Sequence, residues 1–133
     1  MKSALTKTLD NYFATKEFEK DGKIYERLGV KYFGRYFPNF GSFWTKKLKE
    51  YPSMINGYKK KDLNKFIDLT RCIEGGHLIA LPMWTSLNIY HFMNKDYESL
   101  AIFGGINILI NVYPIMSQRY NRNRALRFLE KKQ

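Results

Sequence analysis

Two stretches without a charged residue decide the fold: GGHLIALPMWTSLNIYHFMN at residues 75–94 and SLAIFGGINILINVYPIMSQ at residues 99–118. Each has 20 residues, the length of helix that covers the hydrocarbon core of a bilayer. A helix on the surface of a soluble domain keeps a charged face, and neither stretch has one. The two stretches therefore predict two transmembrane helices. The alternative is a pair of buried core helices in a soluble domain.

The charges outside these stretches predict the orientation of the two helices. A short polar break at residues 94–98 joins them as an antiparallel hairpin, so their outer ends lie on the same side of the membrane. Those ends carry Arg71 and four arginines within residues 119–127, whereas the break has a single lysine, Lys95. Lys and Arg concentrate on the cytoplasmic side of membrane proteins. We therefore expect a multi-pass protein of the cell membrane with both termini in the cytoplasm.

The segment before the hairpin is both basic and aromatic. Between residues 24 and 37, apolar and aromatic residues recur at nearly helical spacing, at Tyr25, Leu28, Tyr32 and Tyr36. Aromatic and basic side chains both favour the headgroup layer of a membrane. We expect a helix over residues 24–37 that lies on the cytoplasmic leaflet, with a core helix of a small soluble cap as the alternative.

The chain as a whole has 133 residues and a formal net charge of +11, a length suited to a single domain. We predict an all-α, small integral membrane protein. Residues 1–74 would form a cytoplasmic and interfacial helical segment, and residues 75–133 a transmembrane hairpin with a basic cytoplasmic tail. No recognition motif accompanies the positive charge, so we expect no nucleic-acid partner. The single cysteine, Cys72, excludes a disulfide scaffold and a multi-cysteine metal site.

One polar group, formed by Arg71, Glu74 and His77, lies where the first helix leaves the cytoplasmic interface. Residues three apart share a helix face, so Glu74 and His77 should point the same way, with Arg71 one turn back. A carboxylate beside a histidine can fix its tautomer and make it a general base. A structural ion pair between Glu74 and Arg71 is an equally weighted alternative. Two ligands three residues apart do not predict a metal site.

A second polar group follows Pro114, which is expected to kink the second helix. Its members are Gln118, Arg119, Tyr120, Asn121 and Arg122. Guanidinium groups bind carboxylates and phosphates through two parallel hydrogen bonds. Because the outer ends of the hairpin lie side by side, we expect this group to converge on Glu74 and His77 and to bind substrate. The alternative role is membrane anchoring by positive charge alone.

Three blocks of the sequence carry a resemblance to a known family. They are FEKDGKIYERLGVKYFGRYFPNFG at residues 18–41, TRCIEGGH at residues 70–77 and YPIMSQRYNRNR at residues 113–124. With these blocks in this order and spacing, the chain resembles the glycosyl-4,4'-diaponeurosporenoate acyltransferases of staphyloxanthin-type carotenoid synthesis. The resemblance covers roughly residues 11–126.

This resemblance implies transfer of a fatty acyl chain from an activated donor to a sugar hydroxyl of a glycosylated carotenoid or related lipid. The implied reaction requires no metal or organic cofactor. His77 would be the base, assisted by Glu74 and Arg71, and the second polar group would hold the donor or the developing oxyanion. The other interpretation is a non-enzymatic membrane protein that binds anionic lipid or a partner membrane protein. Two spans enclose little of a lipid-sized molecule, so both interpretations favour a homo-oligomer.

Overall fold

Helices make up the described part of the chain. The computed structural model describes residues 4–30, 32–33 and 60–131, and no strand occurs among them, which confirms the all-α prediction for these residues. The N-terminal part has helix α1 at Ala4–Phe13, a 3-10 turn at Glu17–Glu19 and helix α2 at Lys23–Arg27. The rest has helix α3 at Lys60–Met93, α4 at Tyr97–Asn107, a π-helical turn at Ile108–Val112 and α5 at Tyr113–Glu130.

Helix α3 lies alongside the continuous stretch formed by α4, the π-helical turn and α5. His77 of α3 meets Asn111, and Trp84, two turns further along, packs against Phe103. Residues further along α3 contact residues earlier in the stretch from α4 to α5. Helix α3 and this stretch therefore form two long antiparallel rods. Helix α3 passes residue 75 without a break. The basic segment and the first charge-free stretch therefore belong to one rod.

Apolar residues inside the protein lie mainly at the charged end of these rods. Leu63, Ile67 and Ala125 are buried there, and Phe66, Leu126, Phe128 and Leu129 pack around them. In the charge-free stretches, by contrast, Ile79, Met83 and Ile102 are 73%, 69% and 61% exposed. Among the described residues, one helix, Tyr97–Glu130, is long and apolar enough to cross a membrane, and 11% of its apolar window is buried within the protein. Packing within the chain therefore leaves most of this apolar surface uncovered.

The helix predicted over residues 24–37 is interrupted, which corrects the sequence interpretation. Helix α2 ends two residues before Gly29, whose φ of +74° is left-handed and cannot continue a right-handed helix. Tyr25 from the predicted aromatic face is buried in the protein, whereas Tyr32 is 64% exposed. Residues 34–37 lie outside the described residues.

A π-helical turn lies where the second rod was expected to kink. Within Ile108–Val112 the backbone bonds reach one residue further than in an α-helix, and the N–H of Tyr113 donates to the carbonyl of Ile108. Pro114 follows directly and has no N–H to donate. Such turns are a known cause of helix bending. Asn111 lies within this turn and is 2% exposed.

Candidate functional site

Glu74, a carboxylate with no exposed surface, is at the centre of the candidate site. Arg119 Nε donates to its Oε1 at 2.7 Å, and Arg122 Nη1 donates to its Oε2 at 2.6 Å. Charge-assisted hydrogen bonds are about twice as strong as neutral ones. A buried carboxylate requires such partners because it has lost its hydration. The two polar groups of the sequence therefore meet, as the expected convergence required.

A second buried carboxylate, which sequence analysis missed, completes this cluster. Glu19 is 1% exposed, and its Oε1 lies 3.5 Å from Arg119 Nη1. The backbone N–H of Lys16 donates to the same oxygen at 2.8 Å, and the phenol of Tyr25 donates to the other oxygen. Glu19 and Glu74 thus face two guanidiniums, so the formal charges of this carboxylate–arginine cluster cancel.

Two tyrosines border the carboxylate–arginine cluster. Burial raises the pKa of the Tyr25 phenol, and its hydrogen bond to Glu19 raises that pKa further. Burial also raises the pKa of Tyr12, against the opposing effect of Arg119. The guanidinium of Arg119 lies 4.7 Å from the centroid of the Tyr12 ring, within the range of a cation–π contact. Both phenols are therefore neutral hydrogen-bond donors at neutral pH.

Tyr120 of the predicted substrate-binding group and Asn123, which follows that group, bond to the chain's own N-terminal segment. Asn123 Nδ2 donates to the carbonyl of Glu19 at 3.0 Å, and Thr15 Oγ1 donates to Asn123 Oδ1 at 2.8 Å. The hydroxyl of Tyr120 donates to Glu26 Oε1 at 2.8 Å. This polar block therefore attaches residues 15–26 to the helical rods.

His77 lies apart from the carboxylate that was expected to orient it. Its Nδ1 is 3.4 Å from Asn111 Oδ1, whereas both oxygens of Glu74 bond to arginines. This corrects the predicted orientation of His77 by Glu74. The carboxylate faces the start of the arginine-rich block, and the imidazole, one turn further along α3, faces the π-helical turn.

The structure places the remaining predicted site residues, Arg71, Gln118 and Asn121, at different depths. Arg71 Nη1 lies 3.5 Å from Asp68 Oδ1 on the same helix, and the Arg71 side chain is 42% exposed. Arg71 therefore does not form the ion pair with Glu74 that was the structural alternative. Gln118 is 6% exposed, and Asn121 is half-buried. Within residues 4–30, 32–33 and 60–131, no group of three or more His, Cys, Asp or Glu side chains could hold a metal ion.

One signal in the sequence could have identified the partner of His77. Asn107 and Asn111 are four residues apart in a charge-free stretch, a spacing that places both amides on one helix face. Glu19 had no comparable signal. It is one acid among several charged residues, and its arginine partner, Arg119, lies far along the chain.

Over the described residues, the fold and the site define a class: a helical protein with one helix apolar enough to cross a membrane and a buried carboxylate–arginine cluster. The family model described as glycosyl-4,4'-diaponeurosporenoate acyltransferase matches residues 9–131. The chain therefore belongs to this family, which confirms the resemblance in its sequence. The family name supports an acyltransferase of carotenoid biosynthesis. Searches among curated proteins and among solved structures gave no match.

Proposed function

We propose that the chain is an integral-membrane acyltransferase that moves a fatty acyl chain from an activated donor onto a sugar hydroxyl of a glycosylated carotenoid or related lipid. The observation that carries this proposal is the family match over residues 9–131. That range contains both His77 and the polar block of α5, whose arginines bond to Glu74. The lipid or glycolipid, the acyl donor and the membrane are the proposed partners.

The uncovered apolar surface supports a position within the membrane. A monomeric soluble protein rarely exposes a large contiguous apolar surface, yet Ile79, Met83 and Ile102 are mostly exposed here. The charges cluster at the opposite end of both rods, together with the protein-buried core. We place residues 75–94 and 99–118 in the bilayer as a hairpin, with both termini in the cytoplasm and room for a second copy alongside.

His77 is the proposed general base. A sugar hydroxyl is a weak nucleophile at neutral pH, so a base must accept its proton as the oxygen attacks the acyl carbonyl. In this step the imidazole takes the hydroxyl proton and a new ester bond forms. The bond between the acyl carbon and the donor then breaks, and the proton passes from the imidazolium to the leaving group.

The arginines have two proposed roles, which their contacts separate. Arg119 and Arg122 are neutralised by Glu74 and Glu19, so an anionic donor would compete with a carboxylate for them. Arg71 and Arg122 each have a buried Nε with no hydrogen-bond partner in the described part of the chain, but the Arg71 side chain is 42% exposed whereas that of Arg122 is 2% exposed. We therefore assign contact with the donor or the oxyanion first to Arg71, with Gln118, Tyr120 and Asn121 as further candidates.

Lipid analysis of cells that make a glycosylated carotenoid tests this proposal. Cells with the wild-type chain should accumulate a product heavier by one fatty acyl chain, and His77→Ala should abolish it at an unchanged protein level. His91→Ala is the matched control, because His91 contacts Asp96 at the other end of α3 and should leave the product unchanged. Full product with His77→Ala would reject the proposed base. No product with the wild-type chain would favour a lipid- or partner-binding protein.

A further inference from the structure

A line of buried amides leads to the proposed base. Asn107 and Asn111 are 7% and 2% exposed although they lie in a charge-free helical stretch. Asn111 Nδ2 donates to Asn107 Oδ1 at 2.8 Å, and Asn111 Oδ1 lies 3.4 Å from Nδ1 of the half-buried His77. Amides at such depth are costly unless they are hydrogen-bonded. The chain therefore buries two asparagines at positions where apolar side chains would pack without needing a hydrogen-bond partner.

The direction of these hydrogen bonds favours one tautomer of the His77 imidazole. Because the amino group of Asn111 is used by Asn107, its oxygen faces the imidazole and can only accept. A neutral imidazole has one N–H and one lone pair. With the N–H at Nδ1, the lone pair is at Nε2, on the far side of the ring from Asn111.

The π-helical turn carries the amide that contacts α3. Asn107 ends α4, and Asn111 lies inside the turn Ile108–Val112. The extra residue in this turn changes the helical register, so the face carrying the buried amides differs from the one a regular α-helix would present. Single π-turns occur frequently at functional sites.

We propose that Asn111, supported by Asn107, is the residue that positions His77 for catalysis. It holds the imidazole as the Nδ1–H tautomer and so leaves Nε2 as the proton acceptor. This inference rests on the proposed function. It replaces Glu74 as the orienting group, because both oxygens of that carboxylate are bound to arginines. The orienting group is then a neutral amide rather than a carboxylate.

Nitrogen NMR on protein with ¹⁵N-labelled histidine, in detergent micelles, tests the tautomer without reference to activity. In the wild type, His77 should give a protonated Nδ1 and an unprotonated Nε2. Asn111→Leu should convert it to a mixture or to the Nε2–H form, and Asn107→Leu should give a smaller change. His91 is the internal reference and should keep its signals in both variants. A wild-type Nε2–H tautomer, or an Nδ1–H tautomer that persists in Asn111→Leu, would overturn the assignment.

Acylated product in cells tests whether the tautomer matters for the reaction. Asn111→Leu should lower the rate of product formation about 10²-fold, at the lower end of what general-base catalysis contributes. Asn111→Asp, which keeps an acceptor oxygen, should retain more of that rate. Asn88→Leu is the control, since Asn88 lies in the other charge-free stretch and packs near Gly104 rather than His77. Full product from His77→Ala would reject His77 as the base and with it the positioning role in the reaction, whereas no product from the wild-type chain would reject the proposed function. The NMR result would stand in both cases.

Discussion

Glu74 contacts Arg119 and Arg122 through separate carboxylate oxygens. Glu74 is fully buried, and Arg122 is 2% exposed. In such an arrangement each charge is tolerated only because the others are present. The pair as a whole contributes little net free energy, because desolvation offsets attraction. Loss of one member, in contrast, leaves an uncompensated charge inside the protein.

We expect Glu74→Gln to lower the free energy of unfolding by about 3–5 kcal/mol, the usual result of removing one partner from a buried ion pair. Glu17→Gln is the control, because Glu17 pairs with Lys20 while 86% exposed and should change stability by less than about 0.5 kcal/mol. Denaturant unfolding in detergent micelles measures both variants. Similar losses in the two variants would mean that the buried cluster has no special importance for stability.

Helix α2 illustrates how a short element depends on its partner for stability. It has five residues, too few for an isolated helix in water, so its order comes from packing against α5. Gly22 precedes it with a left-handed φ of +74°, and a Cβ there would lie 3.1 Å from Cε2 of Tyr120. Glycine therefore serves two purposes at this position, backbone conformation and close approach of the Tyr120 ring.

Comparison of Gly22→Ala with Gly29→Ala separates these two effects. Both glycines have a φ of +74°, but apart from its chain neighbours no atom of the described residues lies within 4 Å of a Cβ built at Gly29. Each variant should lose about 1–2 kcal/mol from the left-handed backbone. Gly22→Ala should lose more, and hydrogen exchange in residues 15–26 should then become faster. Equal losses in unfolding free energy would show that Tyr120 moves aside without cost.

For the whole molecule, the arrangement of apolar and polar residues is the reverse of that in a soluble domain. Nine polar or charged residues are buried among the described residues, against five hydrophobic ones. Of the fifteen large hydrophobic side chains exposed among the described residues, ten lie on the two long rods between residues 79 and 109, Met83 and Met93 among them. A bilayer around residues 75–94 and 99–118 would cover this surface and leave the charged end in the cytoplasm.

Cysteine labelling in intact cells tests this orientation. The native Cys72 is exposed, so Cys72→Ser is the background for both probes. A cysteine at Ser99, beside the turn between the rods, should react with a membrane-impermeant thiol reagent. A cysteine at Ser53, in the basic segment, should react only after the cells are permeabilised, because positive charge favours the cytoplasmic side. Equal labelling of both positions before permeabilisation would contradict the hairpin.

Much of the architecture could be predicted from local patterns in the sequence. The absence of charge over residues 75–94 and 99–118 and the helical spacing of Leu63 and Ile67 are both properties of contiguous residues, and helices depend mainly on such properties. Matching lengths on the two sides of a short polar break were enough to predict that Glu74 would meet the arginines of α5. The interruption at Gly29 was missed, because a glycine can adopt either a left-handed or a right-handed φ and the sequence does not show which one it takes.

Tertiary structure alone decided which buried partner each polar side chain acquired. The sequence by itself determined the helices, the order of the three family blocks and the ends that come together. It could not determine that both oxygens of Glu74 would bond to arginines and leave His77 to Asn111. Those choices depend on how each rod is rotated about its axis, which the π-helical turn alters. They also depend on long-range packing that brings Glu19 to Arg119, and neither effect leaves a periodic signal.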